Sequence, residues 1–379
     1  MPTALADHSE RVQIELAKGP QASVIALTEA LLAHAHSLGA SDLHLDPRAG
    51  DFLVRLRVDG ELIDAHTVPR SLHAETISRI KVLAGLRTDE HQAAQDGRFK
   101  FTTERGLVDV RVSIVPTYHG ENAVLRLLAP LAEDSTLEAL GFSPAHEASV
   151  RAALGKPSGM ILVTGPTGSG KTSTLYALVK QLIARNVKII TIEDPIEYAI
   201  EGVSQIPVNT RTALTFAHGL RSMLRQDPNV IMVGEIRDAE TAGLAVNAAL
   251  TGHLVLSTLH TADASSALVR LLDLKVEPYL IASTVSMIIA ERLVRRVCSA
   301  CAGAGCVECS GSGYRGRVGI FEVLTIDEEL REAVLRKASA KELLALARKQ
   351  GVQPLTTDGF EKVAAGITTR EEVLRVCHE

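Results

Sequence analysis

Gly165-Pro166-Thr167-Gly168-Ser169-Gly170-Lys171-Thr172 has the residue types and spacing to hold phosphate. It fills every fixed position of G-x-x-x-x-G-K-[ST]. Three glycines let successive backbone N–H groups turn toward phosphate oxygens, and the N-terminal end of the helix that follows adds partial positive charge. Lys171 is spaced to reach the β- and γ-phosphates, and Thr172 to hold Mg²⁺. A pattern with so few fixed positions can also be a plain glycine-rich turn, so the flanks decide. Ile161-Leu-Val-Thr reads as a buried strand, and Leu175, Leu178, Val179 and Leu182 recur at helical spacing. Strand, loop and helix therefore come in the order a nucleotide site requires.

Two further apolar runs end in acids. Glu193 and Asp194 follow Ile190-Thr-Ile, and Glu235 follows Val230-Ile-Met-Val-Gly. In a parallel sheet the ligand loops lie at the carboxyl ends of the strands. A carboxylate there can orient or deprotonate water, or hold Mg²⁺. Helix capping is the competing use, and it suits Asp194 and Asp238 better than Glu193 and Glu235. His253 and His260 bracket a further strand; His260, at the carboxyl end, is the one expected near a γ-phosphate.

Cys298, Cys301, Cys306 and Cys309 form two C-x-x-C pairs. Each can supply two thiolates from a tight turn, which suits tetrahedral Zn²⁺. Gly303 and Gly305 make the reversal between the pairs feasible, and Cys377 stands apart as an unpaired thiol.

These residues need elements to position them. The chain has 379 residues, enough for two or three domains. The expected organisation is a mobile tail over 1–19, a small α+β domain over 20–129, a linker over 130–145, and an α/β domain over 146–379. The α/β domain includes the tetracysteine segment 298–317 and terminal helices over 326–379. In the first domain, Val24, Leu27, Leu31 and Leu38 mark a helix ended by Gly39. Val54, Leu56 and Val58 alternate with Arg55 and Arg57 as in a half-solvated strand, and Asp59-Gly60 signals a hairpin. Arg98, Arg111 and Arg126 lie on further strand-like stretches. In the second domain the strands are short and continuously apolar and alternate with helices, as a doubly wound parallel sheet requires.

Composition excludes some functions. The net charge of −5, the absence of Trp and an aromatic content of 3% give no platform for nucleic acid. No run of 18 apolar residues and no basic-then-apolar start is present, so a cytoplasmic protein is expected.

Further blocks sharpen this reading: Gly39-Ala-Ser-Asp-Leu-His-Leu-Asp46, Gln95-Asp-Gly-Arg98, Val108-Asp-Val-Arg-Val-Ser, Gly120-Glu121, Thr191-Ile-Glu-Asp-Pro-Ile-Glu-Tyr198, Leu224-Arg-Gln-Asp-Pro to Thr241, and Thr251-Gly-His to His260-Thr261. Together with the phosphate loop, and in this order, they resemble the type II secretion and type IV pilus assembly ATPase family. The resemblance implies a homo-hexameric cytoplasmic ATPase with a PAS-like first domain and a RecA-like second one, and with ATP and Mg²⁺ between them. It also implies zinc at the four cysteines. Glu193 would be the general base, Glu235 the acid associated with water and Mg²⁺, His260 a γ-phosphate sensor, and Arg98 and Arg111 mobile phosphate-contacting arginines. Its partners would be inner-membrane platform proteins, reached from the cytoplasmic face. The family usually has a further N-terminal domain that this chain starts without, Asn where Ala262 stands, and a longer insertion between the cysteine pairs. Retraction motors resemble the core but lack the cysteines. A pilus-retraction or conjugation-type motor, a nucleic-acid-handling RecA-like ATPase and a nucleotide-binding regulator without turnover are the alternatives.

Overall fold

The computed structural model describes residues 4–103, 106–128 and 136–377. Two compact units emerge, Met1–Pro130 with Arg295–Gly316 and Leu131–Val294 with Arg317–Glu379.

The first unit is built on α1 (Ala4–Ala17), α2 (Val24–Ser37), β1 (Ala40–Pro47), β2 (Asp51–Val58), β3 (Glu61–Pro69), α3 (His73–Ala84), β4 (Gln95–Thr103), β5 (Gly106–Thr117) and β6 (Gly120–Leu128). The sheet order is β3-β2-β1-β6-β5-β4, with every neighbouring pair antiparallel. Asp59 and Gly60 turn the β2–β3 hairpin with φ of 51° and 92°, the left-handed pair that a two-residue hairpin loop needs. One sheet face is apolar: Leu43, Leu45, Phe52, Val54 and Leu56 are buried with Leu27 and Leu31 of α2 and Ile77 and Ile80 of α3. Truncating a fully buried leucine such as Leu56 to alanine costs about 2–5 kcal/mol. Lys81 is wholly buried, its ammonium 2.6 Å from the Glu121 carboxylate, so removing either partner strands a charge at a cost of about 3–5 kcal/mol.

Residues 4–17, expected as a mobile tail, are instead helical. Val12 is fully buried in the first core, Gln13 bonds the His66 ring at 3.1 Å, and the Glu15 carboxylate accepts from the Ser23 amide at 3.2 Å. These few anchors are too sparse to register as periodicity. Of the expected linker, residues 129–135 lie outside those described. Beyond them, α4 (Leu137–Leu140) is packed, with Leu137 buried and Phe142 stacked on Phe321 at 3.7 Å.

The second unit continues with α5 (Pro144–Leu154), β7 (Gly159–Thr164), α6 (Lys171–Ile183), β8 (Ile189–Glu193), β9 (Val203–Pro207), α7 (Phe216–Met223), β10 (Val230–Val233), α8 (Ala239–Leu250), β11 (Leu254–Leu259), α9 (Ala264–Asp273), α10 (Pro278–Thr284), β12 (Val285–Val297) and β13 (Tyr314–Thr325). Four helices follow: α11 (Glu328–Leu335), α12 (Ala340–Lys349), α13 (Leu355–Ala364) and α14 (Arg370–Cys377). Strand order is β13-β12-β7-β11-β10-β8-β9, with the run from β12 to β9 parallel. Alternate residues feed two cores. Leu162, Ile190, Ile231 and Val255 belong to the core shared with α8 and α9; Ile161, Ile189, Val230 and Leu254 belong to the one shared with α5 and α6. This is the RecA-like α/β architecture, and it brings the ends of β7, β8, β10 and β11 along one edge.

The tetracysteine segment leaves the second sheet after β12 and returns at β13, yet Arg295–Gly316 clusters with the first unit. Within that unit the Asp59 carboxylate accepts from the Gly316 amide at 2.7 Å, and the Arg295 guanidinium sits 4.3 Å above the Tyr314 ring. The sequence had assigned the segment to the second domain.

Candidate active site

The phosphate loop joins β7 to α6. Gly165 is required where it stands, because a Cβ there would lie 2.5 Å from Ser169 Oγ and 2.6 Å from the Glu291 carbonyl oxygen. Gly170, with φ of 106°, caps the helix that starts at Lys171. The Lys171 ammonium donates to the carbonyls of Gly165 at 2.9 Å and Pro166 at 2.7 Å. Burial lowers its pKa, opposed by the Glu291 and Glu235 carboxylates.

Glu235 follows the end of β10. Its carboxylate lies 2.5 Å from Arg237 and 3.5 Å from His260 Nε2. The loops carrying these residues are tied to the sheet: Ile236 N–H donates to the Thr258 carbonyl at 3.0 Å, and Thr261 N–H donates to Thr164 Oγ1 at 2.9 Å. Thr164, the last residue of β7, thereby links the start of the phosphate loop to the histidine loop. Partial burial lowers the His260 pKa, helped by the Lys171 charge and opposed by Glu235, which favours the neutral ring. Lys171, Glu235 and His260 thus form one group of a cation, an anion and a neutral donor or acceptor.

Glu193 is placed differently. It ends β8 as expected but is buried, and its carboxylate accepts from Tyr176 Oη, from Thr191 Oγ1 at 2.6 Å and from Gln205 Nε2 at 3.1 Å. Burial and that bond to Glu193 raise the Tyr176 pKa, and burial pushes Tyr198 up to about 12. The bonds of Glu193 run to these donors, and none to Lys171, Glu235 or His260. Tyr176 and Gln205, which reach Glu193 from 17 and 12 residues away, carry no local motif that marks them.

In the first unit the register sets five charges in a row across five strands. Arg57 pairs with Asp42, Asp42 with Arg126, Arg126 with Arg111, and Arg111 with Arg98. Directly opposed residues in antiparallel pairs share a face, so this row lies on one side of the sheet. Asp42 is engaged by Arg126 at 2.8 Å and by Arg57 at 4.0 Å. Exposed Arg98 has no ion pair among the described residues. A cavity of about 570 Å³ is lined by Asp42, Asp96, Arg98, Arg111, Ser113 and Arg126. Arg98 and Arg111 therefore belong to a larger cationic surface, and Arg126 is a member of it.

The four cysteine sulfurs lie within 4.8 Å of one another. Sγ separations of 3.9 Å for Cys298–Cys306, 3.8 Å for Cys301–Cys309 and 3.7 Å for Cys306–Cys309 match the edge of about 3.8 Å of a tetrahedron with Zn–S arms of about 2.3 Å. Burial disfavours the Cys309 thiolate, but amide donation from Cys306 at 3.1 Å and Gly313 at 3.3 Å outweighs it and holds the thiol below the usual cysteine range. The donor set fits zinc. No helix among the described residues is long and apolar enough to cross a membrane.

Comparison with known proteins follows this geometry. The model of the family described as type II/IV secretion system protein matches residues 17–375. The type II secretion system protein HxcR of Pseudomonas aeruginosa is 47% identical over 366 residues, covering 94% of this chain and 78% of that protein. The type IV pilus assembly ATPase PilB of Thermus thermophilus is 43% identical over 362 residues, 88% of this chain and 41% of that protein. Among solved structures, that of the pilus retraction motor PilT with bound ADP superposes with a TM-score of 0.67 and 28% identity, over 92% of this chain and 96% of that one.

Proposed function

The chain belongs to the type II/IV secretion system protein family, among its secretion and pilus-assembly ATPases, and from that premise we propose that it is a hexameric motor coupling ATP hydrolysis to assembly of pilin or pseudopilin fibres. The observation that carries this reading is the grouping of Lys171, Glu235 and His260 at the mouth of the phosphate loop. Backbone amides from Gly165 to Gly170 receive the phosphates, Lys171 leaves its two carbonyl partners for the β- and γ-oxygens, and Thr172 holds Mg²⁺. Mg²⁺ supplies charge neutralisation on the phosphates. Glu235 would orient water beside the phosphates, and His260 would contact the γ-phosphate. Glu193 serves as the general base once it leaves Tyr176 and Gln205. Arg98 and Arg111 bring cations to the charge that builds during transfer, and the four cysteines would hold a structural zinc.

Assembly is favoured over retraction by the tetracysteine segment, which retraction motors lack by the resemblance drawn from sequence. The motor works at the cytoplasmic face of the inner membrane through platform proteins. The reading predicts that specific ATPase activity rises with protein concentration in step with hexamer formation followed by sedimentation. Constant activity across the transition from monomer to larger species rejects the hexameric motor.

A further inference from the structure

Beneath the phosphate loop lies a carboxyl group with no part in the steps above. Glu291, on β12, is 1% exposed. β12 runs parallel to β7 with Ala290 opposite Thr164, so Glu291 comes level with the point where β7 opens into the loop. Its Oε2 accepts from Thr174 Oγ1 at 2.5 Å, in the first turn of α6. Its Oε1 lies 3.0 Å from where a Cβ on Gly170 would stand. That oxygen lies near the buried Ser169 hydroxyl, and neither atom has a hydrogen-bond partner among the described residues. The carboxyl therefore meets the loop at its helix end, while the backbone carbonyl of Glu291 is the atom beside Gly165.

Among the described residues no cation forms an ion pair with this carboxyl. The Lys171 ammonium is held by Gly165 and Pro166, and Arg292 donates to the carbonyls of Glu291 and Ala262. A buried carboxylate without an ion pair is costly, and such a group keeps its proton instead. Burial pushes the Glu291 carboxyl up to about 8, against the Thr174 and Ser169 hydroxyls and the charges of Lys171 and Arg292.

We propose that Glu291 is a positioning residue for the phosphate loop that works as a neutral acid, bracing the turn from Gly165 to Thr174 without setting a negative charge beneath the bound phosphates. This rests on the loop binding ATP. The sign of the pH dependence follows: the neutral form is the one that binds, so affinity is full at low pH and falls as pH rises through the pKa of the acid. Bound triphosphate, being anionic, raises that pKa further. Lys171 from the loop and Arg292 from β12 are the charges facing Glu291; Glu235 and His260, from the ends of β10 and β11, act on Lys171. All four are common to the wild type and its Glu291 variants.

The test is calorimetric ATP binding to the full chain at constant free Mg²⁺, at pH 7 and pH 9, for the wild type, Glu291→Gln and Glu291→Ala. Ionisation with a pKa near 8 should cost the wild type about tenfold in affinity between the two pH values. Glu291→Gln, a permanent neutral brace, should lose less than about threefold, and at pH 7 it should bind roughly tenfold more tightly than Glu291→Ala. A parallel decline in wild type and Glu291→Gln overturns the proposal. So does a Gln variant as weak as Ala at pH 7, which would make the ionised form the useful one. Should Glu291→Ala fail to fold, the comparison of wild type with Glu291→Gln across pH still decides. Absence of ATP binding by both at pH 7 would remove the ATP reading and this inference together.

Discussion

In the seven-stranded sheet, β7, β8, β10 and β11 are buried along their whole length, and the groups that can act on phosphate stand where those strands end. In the six-stranded sheet only one face is covered. The other carries Arg57, Asp42, Arg126, Arg111 and Arg98 side by side. A sheet buried on both faces has no room for unpaired charge on its strands, so its chemistry is pushed to loops with fixed backbone geometry. A half-open antiparallel sheet can display charge along its face, where long side chains remain free to move. The first arrangement suits holding and activating a nucleotide; the second suits delivering cations.

The largest expected effect breaks the first half of this contrast. Lys171→Ala should abolish ATP turnover and also weaken binding, because no other cation is fixed inside the loop. Glu235→Gln should lower turnover by about 10²-fold or more while keeping ATP affinity within a few fold, since on the proposed reading that carboxylate acts on water and metal. Steady-state kinetics beside equilibrium binding separates the two. Equal loss of affinity in both variants would mean that Glu235 shapes the loop and does not act on water.

The second half is sharpened along the arginine row. Arg98→Ala and Arg111→Ala should each reduce turnover by about tenfold or more, with folding and ATP binding retained, because an inserted arginine is worth about 10³–10⁵ in rate. Arg57, at the other end of the row and engaged with Asp42, should tolerate alanine with less than about twofold change. Uniform effects along the row would indicate a general electrostatic surface in place of specific phosphate contacts.

The two sheets also differ in how far they could be read from sequence. The strands, the phosphate loop and the strand-end acids of the second unit were legible because each is local: an apolar run, then glycine or an acid, then helical periodicity. The arginine row was not, since it depends on the register of strands far apart in the chain. Glu193 was found by position, but its occupation by Tyr176 and Gln205 is a tertiary fact. Glu291 went unremarked although a lone acid inside the apolar stretch from Val285 to Val294 was a usable signal. Helix α1 was missed because few of its residues are buried, with Val12 its deepest anchor.

The smallest expected effect on turnover concerns the four cysteines, which leave the second sheet's strands but cluster with the first unit. On the proposed reading they meet no phosphate, so their expected contribution is structural. Cys309 is the most informative position. It is buried, receives two amide hydrogen bonds, and has neighbouring sulfurs at tetrahedral-edge distances from two other cysteines. Protein purified without chelator should contain about one zinc per chain by elemental analysis, and Cys309→Ser should lose most of it, because one ligand of four is replaced by a poor one. Turnover should stay within about threefold while the melting temperature falls, since metal that binds only the folded state stabilises that state by mass action. Zinc-free wild-type protein with an unchanged melting temperature would show that the segment holds its shape by the Asp59 and backbone hydrogen bonds alone. Loss of turnover as deep as that of Glu235→Gln would place the cysteines in the chemistry and end the division of labour between the two sheets.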